Sequence, residues 1–336
     1  MKNSSYAEFA KKLMEHDNIV MFPHMHMDGD TLGSSSALCM ALRSLGKHAV
    51  ILAGEETPAS LDFLEYGCVT RDLDAFRGTA AGQGFGDIGL ALMVDCGNLS
   101  RIEGREDVFL SAPVKACIDH HGISIDDTEF DFGRVEADSA AAGEIIYYVI
   151  RELGVAIDLP MANALYAAIS TDTGDYSYSN TTARSHQITE AFFQVPGFNP
   201  KPVRALINER VSFNTLRLEG EMVRGIRLYY GGRLGIGRVT QEMLAETGAK
   251  MSDTDGFVNK VLGINGVEAA CLLKEFDEKL VRVSLRAKAD VNVAAIAVRH
   301  DGGGHVSAAG CTFRGTIVEA ERILREDFAF LEDGRQ

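Results

Sequence analysis

Apolar positions recur at helical spacing through Tyr6, Phe9, Ala10, Leu13 and Met14, and the run Ile19 to Phe22 that follows reads as a short buried strand ended by Pro23. Thr31 to Leu45 returns to the helical period, and His48 to Ala53, Ile88 to Val94 and Val114 to Ile118 read as further apolar strands. Ala140 to Arg151 and Met161 to Ile169 predict two more helices, the second running into Ser170, Thr171 and Asp172. Near-continuous apolar strands separated by helix-length segments predict an α/β domain, a parallel sheet with helices on both faces.

The pattern changes after about Glu190. Three of the chain's seven prolines cluster with a glycine at Pro196, Gly197, Pro200 and Pro202, which suits a linker. Beyond it, Gly220 to Tyr230, Arg233 to Val239, Gly266 to Phe276 and Leu280 to Ala287 read as antiparallel strand pairs, with turns at Gly231-Gly232 and Asp277-Glu278. Asn292 to His300 predicts a short helix before Gly302-Gly303-Gly304. The expected division is therefore 1–190, a linker over 191–215, and a smaller α+β domain with a mixed sheet over 216–336. A length of 336 residues, at about 150 residues per domain, agrees with two domains.

Composition narrows the class. With 46% hydrophobic and 24% charged residues the chain can bury a core. No apolar stretch approaches the roughly 20 residues of a membrane helix, and the first residues lack the order of a secretion signal, so a cytoplasmic protein without membrane partners is expected. The six cysteines, Cys39, Cys68, Cys96, Cys117, Cys271 and Cys311, form no C-x-x-C pair and are expected as reduced, mostly buried thiols. The net charge of −15 argues against a protein that coats nucleic acid electrostatically. It is unevenly spread: Arg101 to Asp138 holds ten acidic against four basic residues, Val195 to Thr240 eight basic against three acidic. An acidic site opposite an anion-binding surface would give such a pattern.

Three of the apolar strands end in residues able to bind metal. The first runs into His24-Met-His26-Met-Asp28-Gly-Asp30, another into Asp95, and the next into Asp119-His120-His121. In an open parallel sheet the carboxyl ends of strands meet in one crevice, so these groups are brought together there. Thr171-Asp172-Thr173-Gly174 could add a further carboxylate. Converging carboxylates repel unless cations compensate them. Two His and four Asp make an oxygen-rich set suited to Mn²⁺, Co²⁺ or Mg²⁺ rather than to structural Zn²⁺. Two such ions would acidify a water and hold phosphoryl oxygens, which is the chemistry of phosphoester hydrolysis. Taken alone, an Asp-x-Asp after a strand is more often a helix cap.

Asp119-His120-His121 with the upstream His24/Asp28/Asp30 pattern, Asp95 and Asp172 resembles the DHH phosphoesterase superfamily. Gly302-Gly303-Gly304-His305 followed by Ala308-Ala309-Gly310 is similar to the DHHA1 substrate-binding domain that accompanies it. The resemblance spans nearly the whole chain, in the family's order, and is nearest to the stand-alone bifunctional oligoribonucleases that also remove the 3′-phosphate of 3′,5′-bisphosphoadenosine. It implies a site between the two domains, one metal on His24, Asp28 and Asp95, a second on Asp30, Asp95, His120 and Asp172, and Asp95 bridging both as part of the catalytic apparatus. His121 would face the substrate phosphate and help protonate the leaving oxygen, and Asp119 would orient a neighbour. Two Mn²⁺ are implied, with Co²⁺ or Mg²⁺ as alternatives. Met27 stands where the family has proline. His26 is read as a bystander, since His24 already occupies the matching position, although H-x-H spacing is metal-competent. Tyr176 and Ser177 stand where an aromatic and often a basic residue follow T-D-T-G.

In the second domain Gly302 to Gly304 could cradle a phosphate with backbone amides. Arg286 and His305 match positions where the family contacts substrate, and Arg101 is a lesser candidate. The run Gly231 to Gly237 lacks the strand and helix of a dinucleotide site and reads as a hairpin. Without tryptophan and with 8% aromatics, a long stacking groove for nucleic acid is not expected. The resemblance thus implies substrates of a few nucleotides, 3′,5′-bisphosphoadenosine (pAp) or a cyclic or linear dinucleotide, and a homodimer. Cyclic di-AMP or pApA hydrolysis is the alternative within this class, and a non-catalytic nucleotide-binding module the alternative outside it.

Overall fold

The computed structural model describes residues 3–76, 87–121, 130–208, 211–288 and 291–332. It divides into two compact units between Arg210 and Val211. In chain order the first contains α1 (Tyr6–Glu15), β1 (Ile19–Pro23), α2 (Gly29–Ser44), β2 (Ala49–Leu52), β3 (Val69–Thr70), β4 (Leu90–Val94), α3 (Glu106–Ser111), β5 (Lys115–Asp119), β6 (Phe132–Val135), α4 (Ala142–Glu152), α5 (Leu159–Asp172), α6 (Ala183–Phe192) and α7 (Pro200–Asn208). Its six strands are parallel in the order β3-β2-β1-β4-β5-β6.

The apolar runs are buried on both faces because alternate side chains enter different cores. Ile19 and Met21 of β1 pack with α2, α4 and α5 residues such as Leu38, Ile145 and Leu165, whereas Val20 and Phe22 pack against Ile102 and Phe109. Each fully buried side chain of this size contributes about 1.5–3 kcal/mol. Helix ends are set by the sequence: Ser5 caps α1 in a capping box with Glu8, and Asp158 caps α5 ahead of Pro160. Chain order reverses between β1 and β4, so the switch point lies between the strands that end at His24 and Asp95.

The second unit contains α8 (Phe213–Arg224), β7 (Arg227–Tyr229), β8 (Leu234–Val239), α9 (Gln241–Thr247), α10 (Phe257–Leu262), β9 (Ala269–Asp277), β10 (Leu280–Ala287), α11 (Val293–Val298), β11 (Gly303–His305), β12 (Ala308–Arg314) and α12 (Ile317–Asp327). Its sheet runs β11-β12-β10-β9-β8-β7 and is mixed, with β8 and β9 parallel and the other pairs antiparallel.

Several expectations are corrected. Most of Gly220 to Tyr230 is not strand: Ser212 caps α8, and Leu218 and Met222, four apart, are its buried side chains. Strand begins only at Arg227. The pairs expected across the turns at Gly231-Gly232 and Asp277-Glu278, β7 with β8 and β9 with β10, are antiparallel, and β8 and β9 run parallel because α9 and α10 form a crossover between them. The segment 191–215 carries α7 and the start of α8. Gly303 and Gly304 lie in an edge strand paired with Gly310 and Ala309. All six cysteines are free and buried. Among the described residues no helix is long and apolar enough to cross a membrane. Part of the acidic run, 122–129, lies outside the described residues.

Candidate metal centre

The loop after β1 begins with His24, whose Nδ1–H donates to the Met25 carbonyl at 2.8 Å. This fixes the tautomer and turns Nε2 towards Asp28 Oδ2 at 3.6 Å and Asp95 Oδ2 at 3.3 Å. Asp28 has two roles: Oδ1 accepts from the Thr31 amide at 3.0 Å as the N-cap of α2, and Oδ2 joins the cluster. The cap expected of an Asp-x-Asp and the ligand position are thus one residue.

Asp30 is fully buried in the first turn of α2 and accepts the amides of Ala142 at 2.6 Å and Gly143 at 2.9 Å, with Ser34 Oγ at 2.9 Å. These are unpaired donors of the α4 N-terminus, where a carboxylate is favourable. His120 follows β5 and donates Nδ1–H to the Ser139 carbonyl at 3.2 Å. Its Nε2 faces Asp95 Oδ1 at 3.2 Å, Asp172 Oδ2 at 3.2 Å and Asp30 Oδ2 at 3.6 Å.

Asp95 lies between the two groups. One oxygen faces His24 and the other His120. Its backbone is left-handed, φ +62°, a conformation that costs a non-glycine residue about 1–3 kcal/mol and clusters at functional sites. Three groups could hold a cation: His24, Asp28 and Asp95; Asp30, His120 and Asp172; and Asp95, His120 and His121.

The electrostatics follow from crowding. Burial opposes charge on both imidazoles, yet Asp172 and Asp95 beside it push His120 up to about 12, and Asp28 and Asp95 push His24 up to about 10. Burial and the neighbouring Asp95 and Asp172 raise Asp30 well above the carboxylate range, and burial raises Asp172 to about 6. Burial works the other way on Asp95, but His120 and His24 hold it low. The residues fit divalent cations on one further observation: Asp95 Oδ1 and His120 Nε2 are shut off from solvent and, although 3.2 Å apart, meet without hydrogen-bond geometry. Such atoms are costly unless something binds them.

His121 is half exposed, and its Nδ1 lies 2.7 Å from Asp119 Oδ1, which also accepts the His121 amide at 3.0 Å. Asp119 therefore orients His121. His26 stands apart, with its imidazole 84% exposed and its Nδ1 3.6 Å from Glu55. Glu55 accepts the His26 and Met27 amides and so fastens the loop. Arg101 is exposed, and its carbonyl accepts the Met25 amide at 2.8 Å. Tyr176 points inwards, with its hydroxyl 2.6 Å from Thr189 Oγ1 and its ring stacked on His186, and Ser177 is exposed.

In the second unit strand register aligns Arg286 with Ala308 and Ala308 with His305, so Arg286 and His305 share one face of the sheet. Gly303, Ser284 and Arg282 lie on the same face by the two-residue repeat, and Lys274 is directly opposite Arg282. Burial, together with Arg282 and Arg286, pushes Lys274 down despite nearby Asp255. Like charges opposite each other disfavour pairing, and an anion would relieve them. Sequence reasoning missed Arg282 and Lys274. The alternation Arg282, Ser284, Arg286 in an otherwise apolar strand was the available signal. The Met25 and Ser139 carbonyls and the α4 amides leave no signal in residue types.

A doubly wound sheet with acids and histidines at its switch point, joined to a mixed-sheet unit with a Gly-Gly-His edge strand, defines a DHH phosphoesterase. The chain belongs to this family of metal-dependent hydrolases: residues 18–169 match the DHH family N-terminal domain and residues 236–328 the DHHA1 domain. It is 30% identical to the bifunctional oligoribonuclease and PAP phosphatase NrnA of Thermus thermophilus, over 91% of this chain and 88% of that one. It is 26% identical to the protein of the same name from Bacillus subtilis, over 95% and 96%. Among solved structures, an exopolyphosphatase-related protein from Bacteroides fragilis superimposes with a TM-score of 0.87 at 23% identity, covering 97% of this chain and 96% of that one.

Proposed function

We propose that this protein is a two-metal phosphodiesterase and phosphatase that shortens RNA oligonucleotides of a few residues from the 3′ end and dephosphorylates 3′,5′-bisphosphoadenosine. The observation that carries the reading is the double-sided Asp95, whose two oxygens face two separate sets of ligand atoms. The names of the relatives, oligoribonuclease and PAP phosphatase, support the choice of substrates.

In this reading His24, Asp28 and Asp95 would hold one cation and Asp30, Asp95, His120 and Asp172 the other, both Mn²⁺, whose preference for mixed oxygen and imidazole ligands the donor set matches. When bound, such ions supply Lewis acidity that lowers the pKa of water and offsets charge on phosphoryl oxygens. The chain's own residues do the rest. Because Asp119 engages Nδ1 of His121, Nε2 is the atom that delivers a proton to the leaving oxygen. Arg286, His305 and the backbone of Gly303 and Gly304 hold the phosphate and sugar of the nucleotide, with Arg101 as a weaker contributor. A guanidinium fork suits phosphate recognition.

The test is product release from a 5′-labelled RNA pentamer, 3′,5′-bisphosphoadenosine and cyclic di-AMP, each with Mn²⁺ and with excess chelator. Metal-dependent shortening of the pentamer and phosphate release from the bisphosphate are expected. Cleavage of cyclic di-AMP alone would overturn the substrate assignment in favour of second-messenger turnover, and no cleavage would favour a binding module.

A further inference from the structure

α5 ends at Asp172, and the chain then makes an unusual turn: Gly174, Asp175 and Tyr176 are all left-handed, with φ of +54°, +56° and +64°. Two consecutive non-glycine residues in that region are held only by firm anchors. Several are present. The Asp175 amide donates to the Ser170 carbonyl at 2.7 Å, the Tyr176 amide to Thr173 Oγ1 at 3.1 Å, and the Tyr178 amide to the Thr173 carbonyl at 2.9 Å. Asn180 Nδ2 donates to the Asp172 carbonyl at 3.0 Å and the Ala140 carbonyl at 3.2 Å. The second acceptor is one residue past Ser139, whose carbonyl orients His120. The loop is therefore fastened to the two backbone segments that carry or orient Asp172 and His120.

Of the two tyrosines here only one is spent on this anchoring. Tyr176 is turned inwards, whereas Tyr178 is 53% exposed. A Cβ on Gly174 would stand 2.4, 2.4 and 2.6 Å from Cε1, Cζ and Cε2 of Tyr178. Near-equal distances to three adjacent ring atoms put that point over the face of the ring rather than beyond its edge. One face of the phenol therefore lies on Gly174, which must lack a side chain, and the residue's exposure is left to the rest of the ring. A flat aromatic surface, fixed in orientation and solvent-facing, beside a cluster that would hold cations is what a splayed nucleobase stacks on.

We propose that Tyr178 is a substrate-positioning residue: its ring stacks on one base of the oligonucleotide whose phosphodiester lies at the His120/Asp172 side of the metal centre. This rests on the oligoribonuclease reading and extends it to a named base contact. The ring supplies area and orientation without reading sequence, so it acts on binding rather than on chemistry.

The experiment compares wild type, Tyr178→Ala and Tyr178→Phe on pApA and on two analogues in which one or the other base is replaced by hydrogen. Base stacking of about 1–3 kcal/mol corresponds to a rise in KM of roughly five- to a hundredfold. That rise is expected for Tyr178→Ala on pApA with kcat little changed, and Tyr178→Phe should restore the wild-type KM because the ring, not the hydroxyl, is used. On one of the two analogues wild type and Tyr178→Ala should become equal. An equal KM rise on all three substrates, a fall in kcat alone, or no change on pApA would overturn the stacking role while leaving the oligoribonuclease reading intact. Wild-type enzyme that cleaves none of the three with Mn²⁺ present would overturn that reading and this one with it.

Discussion

At the carboxyl end of the first sheet most candidate ligands are tied by a second bond: His24 to the Met25 carbonyl, His120 to the Ser139 carbonyl, Asp28 to the Thr31 amide, Asp30 to the α4 amides. On the second sheet Arg282, Arg286 and His305 owe their alignment to strand register. The first arrangement concentrates negative charge in a buried place, and the second spreads positive charge across one face of the sheet. A centre that must hold ions at fixed separation needs ligands whose rotamers are locked, while a surface that receives a nucleotide needs complementary charge and room. Damage to the two regions should therefore be felt differently, as lost rate or metal in one and as lost substrate affinity in the other.

The largest separable effect is expected from His121→Ala. Asp119 orients its side chain, and on the proposed proton-transfer role kcat should fall by about 10²–10⁴-fold while bound Mn²⁺, measured by atomic emission, stays at the wild-type amount. Loss of metal in that variant would move His121 into the ligand set.

Arg286→Ala should act on the opposite side of the comparison. Loss of the proposed charge-assisted phosphate contact, worth about 1.5–3 kcal/mol, should raise KM roughly ten- to a hundredfold with kcat and metal content unchanged. A fall in kcat with KM constant would show that the second sheet takes part in the chemical step.

Gly304→Ala tests the edge strand itself. With φ at +140° and the Ala308 carbonyl oxygen 2.5 Å from where Cβ would stand, the substitution should destabilise the second unit by about 1–3 kcal/mol. Mn²⁺ binding to the first unit should be untouched, which calorimetric unfolding with and without Mn²⁺ can resolve.

The smallest effect concerns acid. Burial favours the neutral form of Glu136, but the Tyr6 hydroxyl and the Arg184 guanidinium, with Arg134, hold its carboxyl below the usual range. A depressed carboxylate stabilises the fold above its unfolded value, near 4.3, and that contribution is lost as pH falls through the folded value. Glu136→Gln should therefore flatten the decline of melting temperature below about pH 5. An unchanged decline would assign acid sensitivity to other carboxylates.

What could be read from the chain differed between the two sheets for a physical reason. β1, β4 and β5 are buried on both faces, so their residues are apolar throughout and their polar ends stand out, which is why His24, Asp95, His120 and His121 were legible. β6 with Arg134, and α7 with its two prolines, lack so plain a pattern. In the second unit Gly220 inside α8 obscured a helical period carried by only two buried side chains, and register, which alone aligns Arg286 with His305, is not written in residue types. The inward turn of Tyr176 and the outward face of Tyr178 depend on a left-handed backbone that the letters T-D-T-G-D-Y-S do not specify.

The most direct test of the bridged centre is Mn²⁺ binding to the metal-free protein, by titration calorimetry with stoichiometry checked by emission spectroscopy, for wild type and Asp95→Asn. Wild type is expected to take two ions per chain. The variant is expected to weaken both sites by more than about 100-fold, beyond what loss of an outer partner produces. Retention of either ion at wild-type affinity would contradict the bridging position of Asp95.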